Sequence, residues 1–276
     1  MNNIVLSKYL FNKALNAWQP SDLYSNGLTV TLLQDSAELL IWAIVKKLDV
    51  DVKSKEGFVS LIEKIDREHD GIKLKAQILE VNNSRVNFKH YGNIPSTSDI
   101  SKFIDDTRTF LIINSEKIGY NFLDISLADI VNKQSVKELI KTAEKLLYEE
   151  NIEESLIHIS MAFSEIEYDS KKSIYTNLPN VERLWELFPE KSQDKARMFF
   201  KQTENFLDEF TWLTSLMNLG FSRNQIFSIR NKCFEVNISV TGKRLGIHPR
   251  SQTEISKENV EYLIRMITDL AIAQYG

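Results

Sequence analysis

The sequence predicts an all-α protein in two parts. Residues 1–134 read as a helix bundle, and residues 135–276 as a second, mostly helical domain with one small β-hairpin. Three observations lead there. Gly (9) and Pro (5) are scarce in 276 residues, and a chain this poor in turn-formers cannot close the many tight turns of an all-β fold. Apolar residues recur three and four positions apart along most of the chain, the period of a helix with one buried face. The balance of 43% hydrophobic and 26% charged residues belongs to a globular chain.

Taken in order, residues 7–18 hold apolar side chains at helical spacing, with Ser7 as a cap and Pro20 closing the segment. Residues 28–48, LTVTLLQDSAELLIWAIVKKL, are apolar around most of the helix circumference and so predict a central, buried helix. Thr and Val there also suit a strand, and length decides for helix. Residues 55–69 align Phe58, Leu61, Ile62 and Ile65 on one face, and residues 72–90 continue with Ile72, Ile78, Leu79 and Val81. After the loop YGNIPSTSD, Ser98 and Asp99 open a further helix. Residues 121–134 read as a linking segment. Ser135 and Glu138 have the spacing of a capping box, ahead of a long helical run to Phe163. Residues 193–219 predict the longest helix, ended by Gly220, and Ser222 with Gln225 predicts another capping box. EVNISVTGKRLGIHP alternates around Thr-Gly as a hairpin does, and Ser256 caps a last helix to about residue 274.

Composition narrows the function. A net charge of −4 leaves no global field for nucleic acid, so any such binding needs a local basic patch. One cysteine, Cys233, excludes an intramolecular disulfide and fits a reducing compartment. The first twenty residues lack a basic, then apolar, signal pattern, and no apolar stretch reads as a membrane span, so the expectation is a cytoplasmic protein. Four scattered histidines give no HxxxH or HExxH spacing, so no metal is expected. Phosphate-loop, dinucleotide-binding and GxSxG patterns are absent from the sequence, and no cofactor is expected.

Chemistry concentrates in NNSRVNFKHYGNIPS, residues 82–96. Arg85 and His90 stand five residues apart just before Gly92. RNA can be cut without metal when its 2′-hydroxyl attacks the adjacent phosphate, leaving a 2′,3′-cyclic phosphate and a 5′-hydroxyl. That attack needs a proton carrier near neutrality, which imidazole supplies. It also needs a fixed cation on the phosphoryl oxygens, which a guanidinium fork supplies. Five residues on an ideal helix turn a side chain by about 140°. The pair therefore converges only if the helix distorts at HYG or if two copies share one groove. The ordinary reading pairs Arg85 with Glu80 or another carboxylate and leaves His90 as a favourable helix-end residue.

This arrangement resembles the HEPN domain superfamily. The likeness rests on R-x4-H next to a glycine in a bundle of four to five helices. It rests also on an apolar second helix, LLQDSAELLIWAIVKKL, with embedded Gln and Glu. It covers residues 7–120. The resemblance implies a metal-independent endoribonuclease acting as a homodimer on RNA, in a toxin, antiviral-defence or stress role, with a partner such as an antitoxin. It assigns Arg85 and His90 as catalytic. Read from the residues themselves, Lys89 and Tyr91 suit phosphate contact and base stacking or simply a solvated helix end, and Glu38 either orients the pair or makes a structural hydrogen bond in the bundle. In many active members the residue after the arginine is polar; here it is Val86, with Asn87 next. Either Asn87 takes that place, or the chain is a non-catalytic relative that binds a nucleotide, RNA or protein.

Residues 223–250 carry Arg223, Arg230, Lys232, Lys243, Arg244 and Arg250 against Glu235 alone, a local charge of +5, with His248 beside them. With Phe227 and Phe234 interleaved, this segment suits an RNA backbone or an acidic partner surface. Residues 216–233 also have generic helix-turn-helix spacing, which leaves a weaker reading as a transcription regulator. Trp42, Trp185 and Trp212 read as core, His158 as a core-edge residue and His69 as exposed.

Overall fold

The structure is a computed structural model that describes residues 3–53, 56–175, 186–238, 244–250 and 252–276. Among these lie ten α-helices and one two-stranded sheet. The helices are α1 (Asn3–Ala17), α2 (Leu23–Leu48), α3 (Phe58–Glu68), α4 (Lys75–Tyr91), α5 (Thr97–Ser115), α6 (Gln134–Tyr148), α7 (Ile152–Tyr175), α8 (Glu190–Asn218), α9 (Arg223–Lys232) and α10 (Lys257–Tyr275). The strands are β1 (Glu235–Ile238) and β2 (Arg244–His248). The fold is all-α with a small hairpin. The chain divides into two compact units, Met1–Ile130 and Val131–Gly276.

In the first unit α2 is the central helix. Val30, Leu33, Ala37, Leu40, Ile41 and Ile44 are buried, against α1, α4 and α5. Each such side chain contributes about 1.5–3 kcal/mol by leaving water. By length and composition alone α2 could cross a membrane, which corrects the expectation that no stretch is that apolar; 56% of its most apolar window is buried inside the bundle. Its β-branched residues are accommodated within the helix: Thr29 and Thr31 donate their hydroxyls to the carbonyls of Ser25 and Gly27, one turn back, at 2.9 Å each.

Ser7 is not a cap. It lies buried inside α1, and its hydroxyl donates to the Ser36 carbonyl while the Ser36 hydroxyl donates to the Ser7 carbonyl, each at 2.8 Å. Small side chains let α1 and α2 approach closely there. The cap of α5 is Ser96 rather than Ser98. Its hydroxyl accepts from the Asp99 amide at 3.1 Å, and the Asp99 carboxylate accepts from the Ser96 amide at 3.2 Å, a complete capping box. Residues 121–134 are not a bare linker. Phe122, Ala128 and Ile130 are buried in 3-10 turns, and Lys8 donates to the carbonyls of Leu123 and Ile125.

In the second unit the long run after residue 134 breaks into α6 and α7 at Glu150, which adopts φ +59°. The capping box expected at Ser135 and Glu138 is absent. The helix starts two residues earlier, with Lys133 in the cap position, and Ser135 donates to Glu165 at 2.6 Å instead. α6, α7 and α10 pack together around Ile140, Ile159, Phe163, Leu263 and Ile267. Ser222 and Gln225 form the expected capping box of α9, and Ser256 caps α10. β1 and β2 pair antiparallel, with Val236 opposite Ile247. The turn between them and the loop around Pro179 lie outside the described residues.

Candidate functional site at the α2–α4 face

Two contacts hold the end of α4 against the start of α2. A Cβ on Gly27 would come within 2.2 Å of the Phe88 ring, so glycine at this position near the start of α2 is what admits the ring. Asn26 donates its side-chain amide to the Pro95 carbonyl at 3.1 Å, fixing the loop that follows α4. α4 stays α-helical through His90 and Tyr91 and ends on Gly92 at φ +71°, with the Gly92 amide donating to Phe88 at 3.0 Å. The distortion at HYG that would bring Arg85 and His90 together within one chain is therefore not present, and the turn of about 140° between them stands.

Arg85 lies on the side of α4 that carries the buried Ile78 and Val81, seven and four residues earlier. It is half-buried, and its Nε is buried with no hydrogen-bond partner. Glu80 does not hold it; Glu80 pairs with Lys102 of α5 at 2.7 Å. Arg85 acts instead on Asp35 of α2. Burial raises the Asp35 pKa above the usual aspartate value, the charges of Arg85 and Lys89 pull it down, and Glu38 pushes it up again. Glu38 itself accepts from Gln34 at 2.8 Å, while the buried Gln34 Oε1 has no partner. The α2–α4 face thus gathers Gln34, Asp35 and Glu38 opposite Arg85 and Lys89.

His90 is exposed at the last turn of α4, beside Tyr91, which is 73% exposed, with ring centroids 6.4 Å apart. Asn87 is exposed, two residues and so about 200° round the helix from Arg85. Val86 is half-buried. The sequence-predicted group is therefore split. Arg85, Lys89 and Glu38 share the α2–α4 face, while His90, Asn87 and Tyr91 point to solvent. Asp35 was not singled out from the sequence. The signal was there in the polar run Gln34-Asp35-Ser36 on an otherwise apolar helix, but nothing in the run says which of its members meets α4.

The basic segment of the second unit spends several of its cations internally. Arg230 pairs with Glu209 at 2.6 Å and Glu167 at 3.7 Å and lies over the Trp212 ring at 4.7 Å. Arg250 donates to the Arg230 carbonyl at 2.9 Å. Lys232 lies over Tyr262 and Arg223 over Phe227. Lys243 and the side chain of Arg244 lie outside the described residues. His248 is exposed; His158 is half-buried, its Nδ1 2.8 Å from the Glu154 carbonyl. His69 is exposed after α3. Trp212 is buried, Trp42 half-buried, and Trp185 outside the described residues. Among the described residues no group of three or more His, Cys, Asp or Glu could hold a metal ion. Comparison with protein-family models, curated proteins and solved structures found no match to this chain.

Proposed function

We propose that the first unit is a HEPN-like endoribonuclease whose site is completed by a second copy of the chain. The observation that carries this reading is the division of α4. Arg85 presents a guanidinium with an unspent Nε–H beside Asp35, and His90 stands exposed on a different side of the same helix. A catalytic Arg and His so placed cannot act on one phosphate from a single α4, whereas two copies can each lend one of them. Arg85 would hold the phosphoryl oxygens as charge grows on them, with Lys89 beside it as a further cation. His90 of the other copy would carry the proton of the 2′-hydroxyl or of the leaving 5′-oxygen, and the exposed Tyr91 offers a ring for base stacking. The chain would work in the cytoplasm, in a defence or toxin role, with RNA as substrate.

A second reading is favoured by one charge interaction. Arg85 lies on the inner side of α4 under the charge of Asp35, as a structural arginine does. The chain would then be a non-catalytic helical protein that binds RNA, a nucleotide or a protein partner.

The test is RNA cleavage by the purified full chain in EDTA, with Arg85→Ala and His90→Ala separately and mixed. The nuclease reading expects cleavage that yields cyclic-phosphate ends, loss of roughly a hundredfold or more in each variant, and partial recovery on mixing, since a mixed dimer keeps one intact composite site. Absence of cleavage by folded wild type, on structured and single-stranded RNA, turns the assignment to the binding protein.

A further inference from the structure

Three lysines of the first unit close onto a carboxylate: Lys64 onto Glu56 at 2.7 Å, Lys75 onto Asp66 at 2.6 Å and Lys102 onto Glu80 at 2.7 Å. The α2–α4 face does not close in this way. The charges of Arg85 and Lys89 act on Asp35, yet among the described residues neither cation forms an ion pair and the Asp35 carboxylate accepts no hydrogen bond. Burial outweighs the pull of both cations on Asp35, as it does when opposite charges stand apart. Glu38 accepts from Gln34 at 2.8 Å through Oε2, and its Oε1 has no hydrogen-bond partner among the described residues. The Arg85 Nε and the Gln34 Oε1 are buried and unpartnered as well, and Gln34 is only 1% exposed. Gln34 and Glu38 stand within about 20° of Gly27 round α2, and Gly27 is where Phe88 of α4 seats. α2 therefore turns acceptors toward α4. Arg85 is half-buried and Lys89 exposed, so this polar seam reaches solvent at Lys89.

We propose that this seam is a base-recognition subsite, which takes a guanine of single-stranded RNA beside the phosphate held by Arg85. The inference rests on the reading above that Arg85 meets an RNA phosphate. The match is one of donors and acceptors. Asp35 and Glu38 offer carboxylate oxygens and Gln34 a third acceptor, while Arg85 and Lys89 offer donors. A carboxylate pairs in bidentate fashion with two adjacent N–H groups. Among the RNA bases only guanine has these on its Watson–Crick edge, at N1 and N2, and its O6 and N7 remain as acceptors for a cation such as Lys89. Adenine and cytosine each set one amine beside a ring nitrogen whose lone pair a carboxylate repels. Uracil flanks its single N–H with two carbonyl oxygens. Gln34 holds Glu38 from the buried side, and an acceptor fixed in advance loses less freedom on binding. A guanine in the seam also supplies partners to polar groups that the free chain leaves unpaired.

The test measures binding rather than cleavage. Fluorescence anisotropy is recorded on the full chain carrying His90→Ala, so that bound RNA stays intact, with four uridine nonamers that differ only in a central guanine, adenine, cytosine or uracil. The guanine nonamer is expected to bind at least roughly tenfold more tightly than the other three. Glu38→Gln and Asp35→Asn keep the shape and remove the charge; they should erase that preference and bind the all-uracil nonamer no more weakly than before. Arg85→Gln should weaken all four alike, as loss of a phosphate contact does. Equal affinity for the four nonamers overturns the subsite, and so does tightest binding of another base, a guanine preference that survives both carboxylate variants, or no binding at all. The wild-type comparison needs no seam variant and so stands even if those variants do not fold. Cleavage separates this proposal from the nuclease reading. A wild type that cuts RNA while the four nonamers bind alike removes the subsite alone, and a guanine preference in a chain that never cuts removes the nuclease and keeps the subsite.

Discussion

At the residue scale, four residues carry most of the argument. Gly27 is fixed by what it lacks. Gly27→Ala gains helix propensity but drives a methyl into the Phe88 ring, so a net loss of about 1–3 kcal/mol is expected in chemical denaturation. Adding Phe88→Ala should remove the clash, leaving only the cavity cost. Asp35 is titrated by its neighbours. Its pKa is raised in the folded chain, so the fold binds a proton there more readily than the unfolded chain does. Its contribution to stability is therefore lost as pH rises through and above the ordinary aspartate range, and Asp35→Asn should flatten that part of the stability profile. Arg85→Gln removes a charge that lowers this pKa, so a carboxyl-carbon NMR titration should find Asp35 shifted further upward; no movement would place Arg85 away from it. Burial pushes the Cys233 thiol up to about 12. A thiol reagent should leave native protein unmodified and react once per chain in denaturant.

At the element scale, helix ends were legible where the capping side chain is also exposed and local. Ser222 with Gln225 and Ser256 behave as their spacing predicts, because a capping box involves only four consecutive residues. Ser7 and Ser135 have the same composition signal and no capping role, because neighbouring helices bring the Ser36 carbonyl and Glu165 within reach. Ser96→Ala should cost about 1 kcal/mol in thermal or chemical unfolding by leaving the Asp99 amide without its acceptor. An unchanged midpoint would mean that solvent satisfies this exposed cap equally well. The same reasoning explains why α8 was legible as a long helix while the side it buries was not. Apolar residues at helical spacing read alike whether their stripe faces a core or solvent, and only the buried Trp212 side of the packed chain shows which stripe is left over.

At the scale of the whole molecule, each unit has its own core, built on α2 in Met1–Ile130 and on α6, α7 and α10 in Val131–Gly276. A fragment of residues 1–130 is therefore expected to keep a cooperative thermal transition by circular dichroism, since the α1–α2 hydroxyl exchange and the α2–α4 contacts are all internal to it. A broad, non-cooperative melt would show that its core depends on the rest of the chain.

The sequence by itself determined the fold class, because scarcity of Gly and Pro and a helical apolar period are properties of the chain read in one dimension. It also singled out Arg85 and His90 as the chemically distinctive pair, and α2 as the most apolar helix. Only the tertiary structure decided what surrounds them. It put Asp35 under the charge of Arg85, left His90 in solvent at the end of an undistorted α4, and turned Arg230 of the basic segment inward onto Glu167, Glu209 and Trp212. The reason is physical. Helix formation follows from interactions three and four residues apart, whereas the partner of a charge is chosen by desolvation and packing between residues tens of positions apart.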